Sequence, residues 1–381
     1  MFNLGRDNTG LIAKWWRNVD KQILFLFIFL LFLGLFFSFT STTSVISEKM
    51  NKQTYFFFIK HLIFVVISSF LIFLISLQEK EKLIKILTYL FIFSLIILSL
   101  TLIYGIEVKG SRRWISIHSS LRFQPVELIK PLFIIFVAKI IVLKENTDIY
   151  RRYFYSFIIL LIIVIILINQ PDLGQTFLLT LTWITMIFVS GFNMILLSAL
   201  GLVFLAAIAL LIFFLPEKFG YVFARIKTFL DPTEGDNFQS QKALEAIKQG
   251  GLTGQGMGEG ILKDKVPEAH TDYIIAVISE EFGAIFVLFI VIIFLFIGYK
   301  VLNKVFAGND EFLKLALVGL ISLLIIQTFI HIGVNSRLFP TTGMTLPFLS
   351  YGGSSLIGSS IIAGIILNFT RKDSTGYFKN D

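Results

Sequence analysis

Val266-Pro267-Glu268-Ala269-His270-Thr271-Asp272-Tyr273 leads directly into the apolar run Ile274 to Ser279, which ends on Glu280 and Glu281. Two carboxylates, an imidazole and a hydroxyl fall between Glu268 and Asp272, immediately before a segment hydrophobic enough to enter a bilayer. Polar density at a membrane boundary is costly without partners, so the stretch reads first as a site. The plainer reading is a helix start, with Thr271 or Asp272 capping and Glu280 and Glu281 exposed.

Working outward, the 381 residues are 56% hydrophobic and 15% charged, with no cysteine and a net charge of +8. Soluble domains carry about a quarter charged residues, so this composition describes a polytopic membrane protein. The absence of cysteine removes disulfides, thiolate metal sites and cysteine nucleophiles. The positive balance suits an anionic membrane surface. No basic run with interleaved aromatics lies outside the apolar segments, so no nucleic-acid partner is expected.

Residues 1–22 are polar and basic, with Trp15 and Trp16 as interfacial aromatics. The run from Ile23 to about Phe39 has no small-residue cleavage pattern behind it and reads as a retained helix. Further apolar runs lie at 55–77, 84–104, 127–143, 153–169, 175–192, 194–215, 273–299, 312–334 and 354–369. The fold class is therefore all-α, with about ten transmembrane helices.

Both termini, 1–22 and 370–381, are then cytoplasmic. Lys80, Lys82, Lys85, Lys144, Arg151, Arg152, Lys300, Lys304, Lys314, Arg371 and Lys372 all fall inside, as the positive-inside rule requires. The segment Lys109 to Arg122, with Arg112 and Arg113, puts positive charge on the outer side, where binding of an anionic head group would account for it.

The long segment 216–272 is a large extracytoplasmic loop, more in keeping with function than with a linker. Ala243, Leu244, Ala246 and Ile247 predict a short amphipathic helix within 240–249. The glycine-rich run 250–260 allows either close approach to a ligand or a loose loop, and lacks the Gly-Lys-Ser/Thr ending of a P-loop.

Other polar clusters share this outer side. Gln124, Glu127 and Lys130 fall on one helical face, with Arg122 and Lys130 bracketing the carboxylate; a surface ion pair is the plainer reading. Asp172, in Gln170-Pro171-Asp172-Leu173-Gly174, either caps the next helix or joins a site. Phe339 to Ser355 mixes helix breakers with hydroxyls inside apolar sequence, as backbone lining a cavity does.

The motifs Pro-Glu-Ala-His-Thr-Asp, Arg-Phe-Gln-Pro-x-Glu-Leu-x-Lys, Gln-Pro-Asp-Leu-Gly and Thr-Leu-Pro-Phe-Leu-Ser-Tyr-Gly-Gly-Ser-Ser resemble those of the SEDS family of RodA, FtsW and SpoVE. The resemblance covers nearly the whole chain. It implies a peptidoglycan glycosyltransferase that polymerises lipid II at the outer face of the bacterial cytoplasmic membrane. It also implies a class B penicillin-binding protein as transpeptidase partner and, for a division member, other division-complex membrane proteins at the septum. The Ala of Pro-Glu-Ala-His-Thr-Asp and the run Gln239 to Gly256 look closer to the division members than to the elongation members.

Carried over residue by residue, the resemblance makes Asp272 the catalytic base. It assigns Arg122, Gln124, Glu127, Lys130, Asp172, Glu268, His270, Thr271, Ser350, Gly352, Gly353 and Ser354 to the substrate site. A divalent cation, Mg2+ or Mn2+, held by Asp172 or Glu127 is a further expectation, although no ligand spacing identifies a metal site. Two positions depart from the family pattern: His331, where the family has Asn, and Arg337, where it has a small residue. Other functions stay open. A lipid II flippase would use Lys60, His61 and Lys139 along a path, an elongation polymerase would share the chemistry, and a scaffold would need no Asp272.

Overall fold

The computed structural model describes residues 10–41, 56–108, 111–118, 121–142, 148–193, 216–231 and 238–372, with 195–199, 201–202, 206, 210 and 214 between them. A short helix α1 (Leu11–Asn18) precedes α2 (Lys21–Ser41), α3 (Phe56–Leu77) and α4 (Lys80–Tyr104). After a small sheet come α5 (Pro125–Val142), α6 (Ile149–Asn169) and α7 (Leu173–Val189), then α8 (Pro216–Leu230) and α9 (Phe238–Gly250) in the long loop. The chain closes with α10 (Ile274–Phe306), α11 (Glu311–Asn335) and α12 (Gly353–Phe369).

Every apolar run read from the sequence coincides with one of these helices except 194–215, most of which lies outside the described residues. Six described helices are long and apolar enough to cross a membrane by themselves, with α7 and α12 shorter. The chain is a multi-pass helical membrane protein. The helix expected in the long loop is α9.

The departure from all-helical structure is an antiparallel sheet, β1 (Ile106–Val108), β2 (Ser111–His118) and β3 (Leu121–Phe123), in order β1-β2-β3. It is formed by the basic loop that carries Arg112, Arg113 and Arg122. Its register pairs Ile106 with Trp114 and Ser116 with Arg122.

α10 is 33 residues long, about 50 Å at 1.5 Å per residue against a core of about 30 Å. It breaks at Gly283, whose backbone is non-helical (φ 80°, ψ 173°). The piece before the break is buried in protein from Ile274 to Glu281. The piece after it presents Ile285, Leu288, Phe289, Ile292 and Leu295 outward, as a lipid-facing span does. The apolar run at 273–299 is thus two elements rather than one crossing.

The glycine-rich run is not loose. It is zipped to the break in α10: Gln255 N–H donates to Glu280 O at 2.8 Å, and Ala284 N–H to Gly251 O at 3.0 Å. These bonds satisfy the backbone groups that the interrupted helix would otherwise orphan. A Cβ on Gly254 would lie 2.2 Å from Glu281 O, and one on Gly283 2.2 Å from Leu252 O, both at positive φ.

Gly254→Ala and Gly283→Ala are therefore expected to lower the melting temperature of the purified protein. Each combines about 1–2 kcal/mol for the left-handed backbone with about 1–3 kcal/mol for overpacking. Gly258→Ala, where no atom lies within 4 Å of the added carbon, is expected to cost the backbone part alone. Equal melting temperatures for all three would contradict the backbone-contact reading.

Glu280 and Glu281, which the plainer of the two readings leaves exposed, are buried. The Glu280 carboxylate accepts Leu262 N–H and Lys263 N–H, each at 2.7 Å, and Glu281 pairs with the Lys263 ammonium. This brace fixes the chain just ahead of Val266-Pro267.

Candidate active site

The loop Val266–Tyr273 turns tightly, with Glu268 in the left-handed region (φ 58°). Its carbonyl accepts from Thr271 N–H at 3.0 Å and Asp272 N–H at 3.1 Å. Thr271 Oγ1 donates to the Glu268 carboxylate at 3.1 Å. Thr271 and Asp272 do not cap α10. The cap residue is Tyr273, and its side chain makes no capping bond. The cap comes from α11: Asn335 Oδ1 accepts Ala276 N–H at 3.2 Å, while its Nδ2 donates to Asp272 O at 3.0 Å.

Three successive carbonyls of this loop are held from outside it. Tyr351 N–H donates to His270 O at 2.9 Å, Ser350 Oγ to Thr271 O at 2.7 Å, and Asn335 Nδ2 to Asp272 O at 3.0 Å. Hydrogen bonds of this kind contribute about 0.5–1.5 kcal/mol each. Together they fix the backbone from which the Asp272 carboxylate projects. That carboxylate lies beside Gly343, where an added Cβ would be 3.6 Å from Asp272 Oδ2. Thr342 next to it packs on Gly174, so the 342–345 backbone joins the Asp272 loop to the turn that carries Asp172.

A second cluster is built on α5. Lys130 Nζ lies 2.8 Å from Glu127 Oε2, and the two residues are 1% and 3% exposed. The pair is therefore not a surface bridge. Glu127 Oε1 accepts from Gln175 Nε2 at 3.1 Å, and Lys130 Nζ donates to Gln327 Oε1 at 3.1 Å. Gln327 Nε2 in turn donates to Thr345 O at 2.8 Å. Along one face of α11, Gln327, His331 and Asn335 hold Thr345 O, Met344 O and Asp272 O. The irregular segment before α12 is thus tied to the bundle by a polar stripe of period four. His331, a departure from the family pattern, serves in it through Nδ1, 2.8 Å from Met344 O.

Asp172 both caps and pairs. Oδ1 accepts Gln175 N–H at 3.4 Å at the start of α7 and lies 3.5 Å from Arg113 Nη1. Arg113 Nε also donates to Gln170 O at 3.2 Å, and its Nη2 to Pro171 O. Burial pushes the Asp172 carboxyl above its ordinary value, and the Arg113 guanidinium opposes that rise. Gln124 Nε2 reaches Asp172 Oδ2 at 3.4 Å, and Gln124 N–H donates to Ser354 Oγ at 3.0 Å.

Glu127, Lys130, Gln124, Asp172 and Ser354 are thereby brought together, and Glu268, His270, Thr271, Asp272 and Ser350 form the neighbouring group. Gly352 is the cap residue of α12, and Gly353 lies against the Phe64 ring. Arg122 is placed differently from the expectation. It is exposed on β3 opposite Ser116 and does not bracket Glu127, whose cation is Lys130. Alternation along the strands turns Arg113, not Arg122, toward the bundle.

Arg113, expected only as one of the basic loop's cations, joins the site through Asp172, and Gln175, Gln327 and Asn335 join it without having been marked by the motifs as site residues. A lone amide inside an apolar helix is the signal that marks the last two. Among the described residues no three His, Asp or Glu side chains gather as metal ligands. Glu127 and Asp172 are each already engaged by a cation. These residues do not by themselves form a site for Mg2+ or Mn2+, and an ion would have to displace those cations or arrive with an anionic substrate.

The path drawn for a flippase does not assemble. Lys60 stacks over the Phe56 ring, Lys139 Nζ donates to Thr88 Oγ1 at 3.4 Å, and His61 is enclosed by protein.

Comparison with known proteins gives a consistent picture. The FtsW/RodA/SpoVE cell cycle protein model matches residues 21–375. A Caulobacter vibrioides protein named "Probable peptidoglycan glycosyltransferase FtsW" is 32% identical over 371 residues, 97% of this chain and 94% of its own. The stage V sporulation protein E of Bacillus subtilis is 33% identical over 363 residues, 92% of this chain and 97% of its own. Among solved structures, a chain of a peptidoglycan synthase complex superposes with a TM-score of 0.74 at 24% identity, over 92% of this chain and 97% of that one. Thermus thermophilus RodA gives 0.68, also at 24% identity, over 93% and 97%. The two structures establish the fold.

Proposed function

The chain belongs to the FtsW/RodA/SpoVE family, and from that premise we propose that it is a peptidoglycan glycosyltransferase that polymerises lipid II. The observation that carries this reading is the Asp272 loop: a carboxylate on a backbone clamped at three consecutive carbonyls, next to a buried cluster of fixed cations. The naming of the relatives supports the septal, division-type role. The similar chain from a synthase complex that coordinates polymerization and crosslinking supports a crosslinking partner, here a class B penicillin-binding protein.

Lipid II carries an α-linked sugar on pyrophosphate and the strand is β-1,4, so one displacement with inversion suffices. The acceptor 4-hydroxyl attacks the donor's anomeric carbon and its proton passes to Asp272. The bond from that carbon to the pyrophosphate oxygen breaks, and undecaprenyl pyrophosphate leaves. Charge developing on the leaving group needs preorganised donors, and Arg113 and Lys130 are held in place for that task, with Arg122 exposed at the rim. A planar guanidinium fixed by two carbonyls suits phosphate oxygens better than a mobile ammonium.

Two measurements test this. Purified protein given lipid II should produce glycan strands, and a cognate class B transpeptidase should raise the yield. Unchanged lipid II under both conditions would overturn the reading. For the side of the membrane, Met257→Cys in this cysteine-free chain should react with an impermeant thiol reagent from outside the cell, and Asn309→Cys should not. Reversed labelling would put the Asp272 loop on the cytoplasmic side.

A further inference from the structure

His61 is 0% exposed on α3, and neither of its ring nitrogens has a hydrogen-bond partner among the described residues. An imidazole kept inside a span without polar bonds is expensive, and an aliphatic side chain would fill the space at lower cost. Its surroundings explain the ring. Phe57, one turn before it on the same face of α3, lies 5.1 Å from the His270 ring and 5.6 Å from the Tyr351 ring, centroid to centroid. His61 lies 5.8 Å from Tyr351, and His270 5.6 Å from Tyr351. The contacts are edge-on or tilted, the arrangements aromatic rings prefer.

Three elements meet in this cluster: α3, the loop before α10, and the backbone leading into α12. Tyr351 grips His270 twice, by its ring and by its N–H on the His270 carbonyl. His270 is two residues from Asp272. Burial pushes the His270 ring below its ordinary value, with the Glu268 carboxylate opposing.

We propose that Phe57, His61, His270 and Tyr351 form a ring latch that holds the Asp272 loop against α3, with His61 and Tyr351 as positioning residues for the glycosyl transfer. The proposal rests on Asp272 being the base, but the latch itself can be observed without activity. Ala269, buried beside His270, becomes a reporter as Ala269→Cys in this cysteine-free chain.

In that background His61→Ala and Tyr351→Leu are expected to raise the rate at which an impermeant maleimide modifies the reporter thiol about tenfold, as loss of a buried ring pair allows. His61→Phe, which keeps a ring but no ring nitrogen, should return it to within about twofold of the parent. Strand synthesis without the reporter should follow the same order, with kcat lowered and KM for lipid II unchanged. Protein level in the membrane, measured alongside, identifies any variant that has simply failed to fold, and the other then decides. Unchanged reactivity of the reporter thiol in the folded Ala or Leu variant would overturn the latch, as would a His61→Phe protein as reactive as His61→Ala. Altered reactivity alongside an active Asp272→Asn enzyme would keep the latch and discard the base.

Discussion

Asp272→Asn is expected to lower lipid II polymerisation by a factor of ~10² to 10⁴, the usual cost of removing a general base. The amide has nearly the same shape and cannot take the acceptor's proton. The three bonds that hold this loop run to backbone carbonyls, so they survive the substitution. The variant should therefore reach the membrane at wild-type level and melt at the wild-type temperature. Asp272→Glu keeps the carboxylate but moves it by one methylene toward Gly343, and should recover only part of the rate. Near-normal synthesis by a folded Asp272→Asn protein would remove Asp272 from the chemistry.

Lys130→Met is expected to be the most destabilising change in the site, by about 3–5 kcal/mol, because it leaves Glu127 buried without its cation. Gln327 also loses a donor, and with it part of its hold on the backbone at Thr345. Restoring charge balance should undo much of this. Lys130→Met combined with Glu127→Gln removes both charges and should recover most of the melting temperature. Catalysis should stay low in that pair if Lys130 also faces the leaving group. A double variant with both stability and strand synthesis restored would make the pair purely structural.

Much of this was legible from residue order. The apolar runs marked the helices because burial in lipid demands about twenty such residues wherever the chain crosses. The quoted motifs marked Asp272, Glu127, Lys130 and Asp172. What the sequence could not supply was pairing between distant segments. Arg113 and Arg122 are equally basic residues of one loop, and only the strand register decides which one turns toward Asp172. Glu280 and Glu281 read as exposed because their partners, Leu262, Lys263 and the glycine-rich backbone, lie across a loop. The glycines read as freedom, whereas Gly254 and Gly283 permit two backbones to touch. The stripe Gln327, His331, Asn335 was present as a four-residue period, but its meaning depended on carbonyls that lack a helix of their own.

The pH dependence of kcat/KM for strand synthesis, compared between wild type and Asp272→Asn, addresses the role of Asp272 most directly. A general base requires the wild-type rate to fall with unit slope as the solution is acidified and the carboxylate takes up a proton. The residual activity of Asp272→Asn should lack that limb and stay flat over the same range. An acid limb that persists unchanged in Asp272→Asn would assign the titrating base to another group and contradict this account.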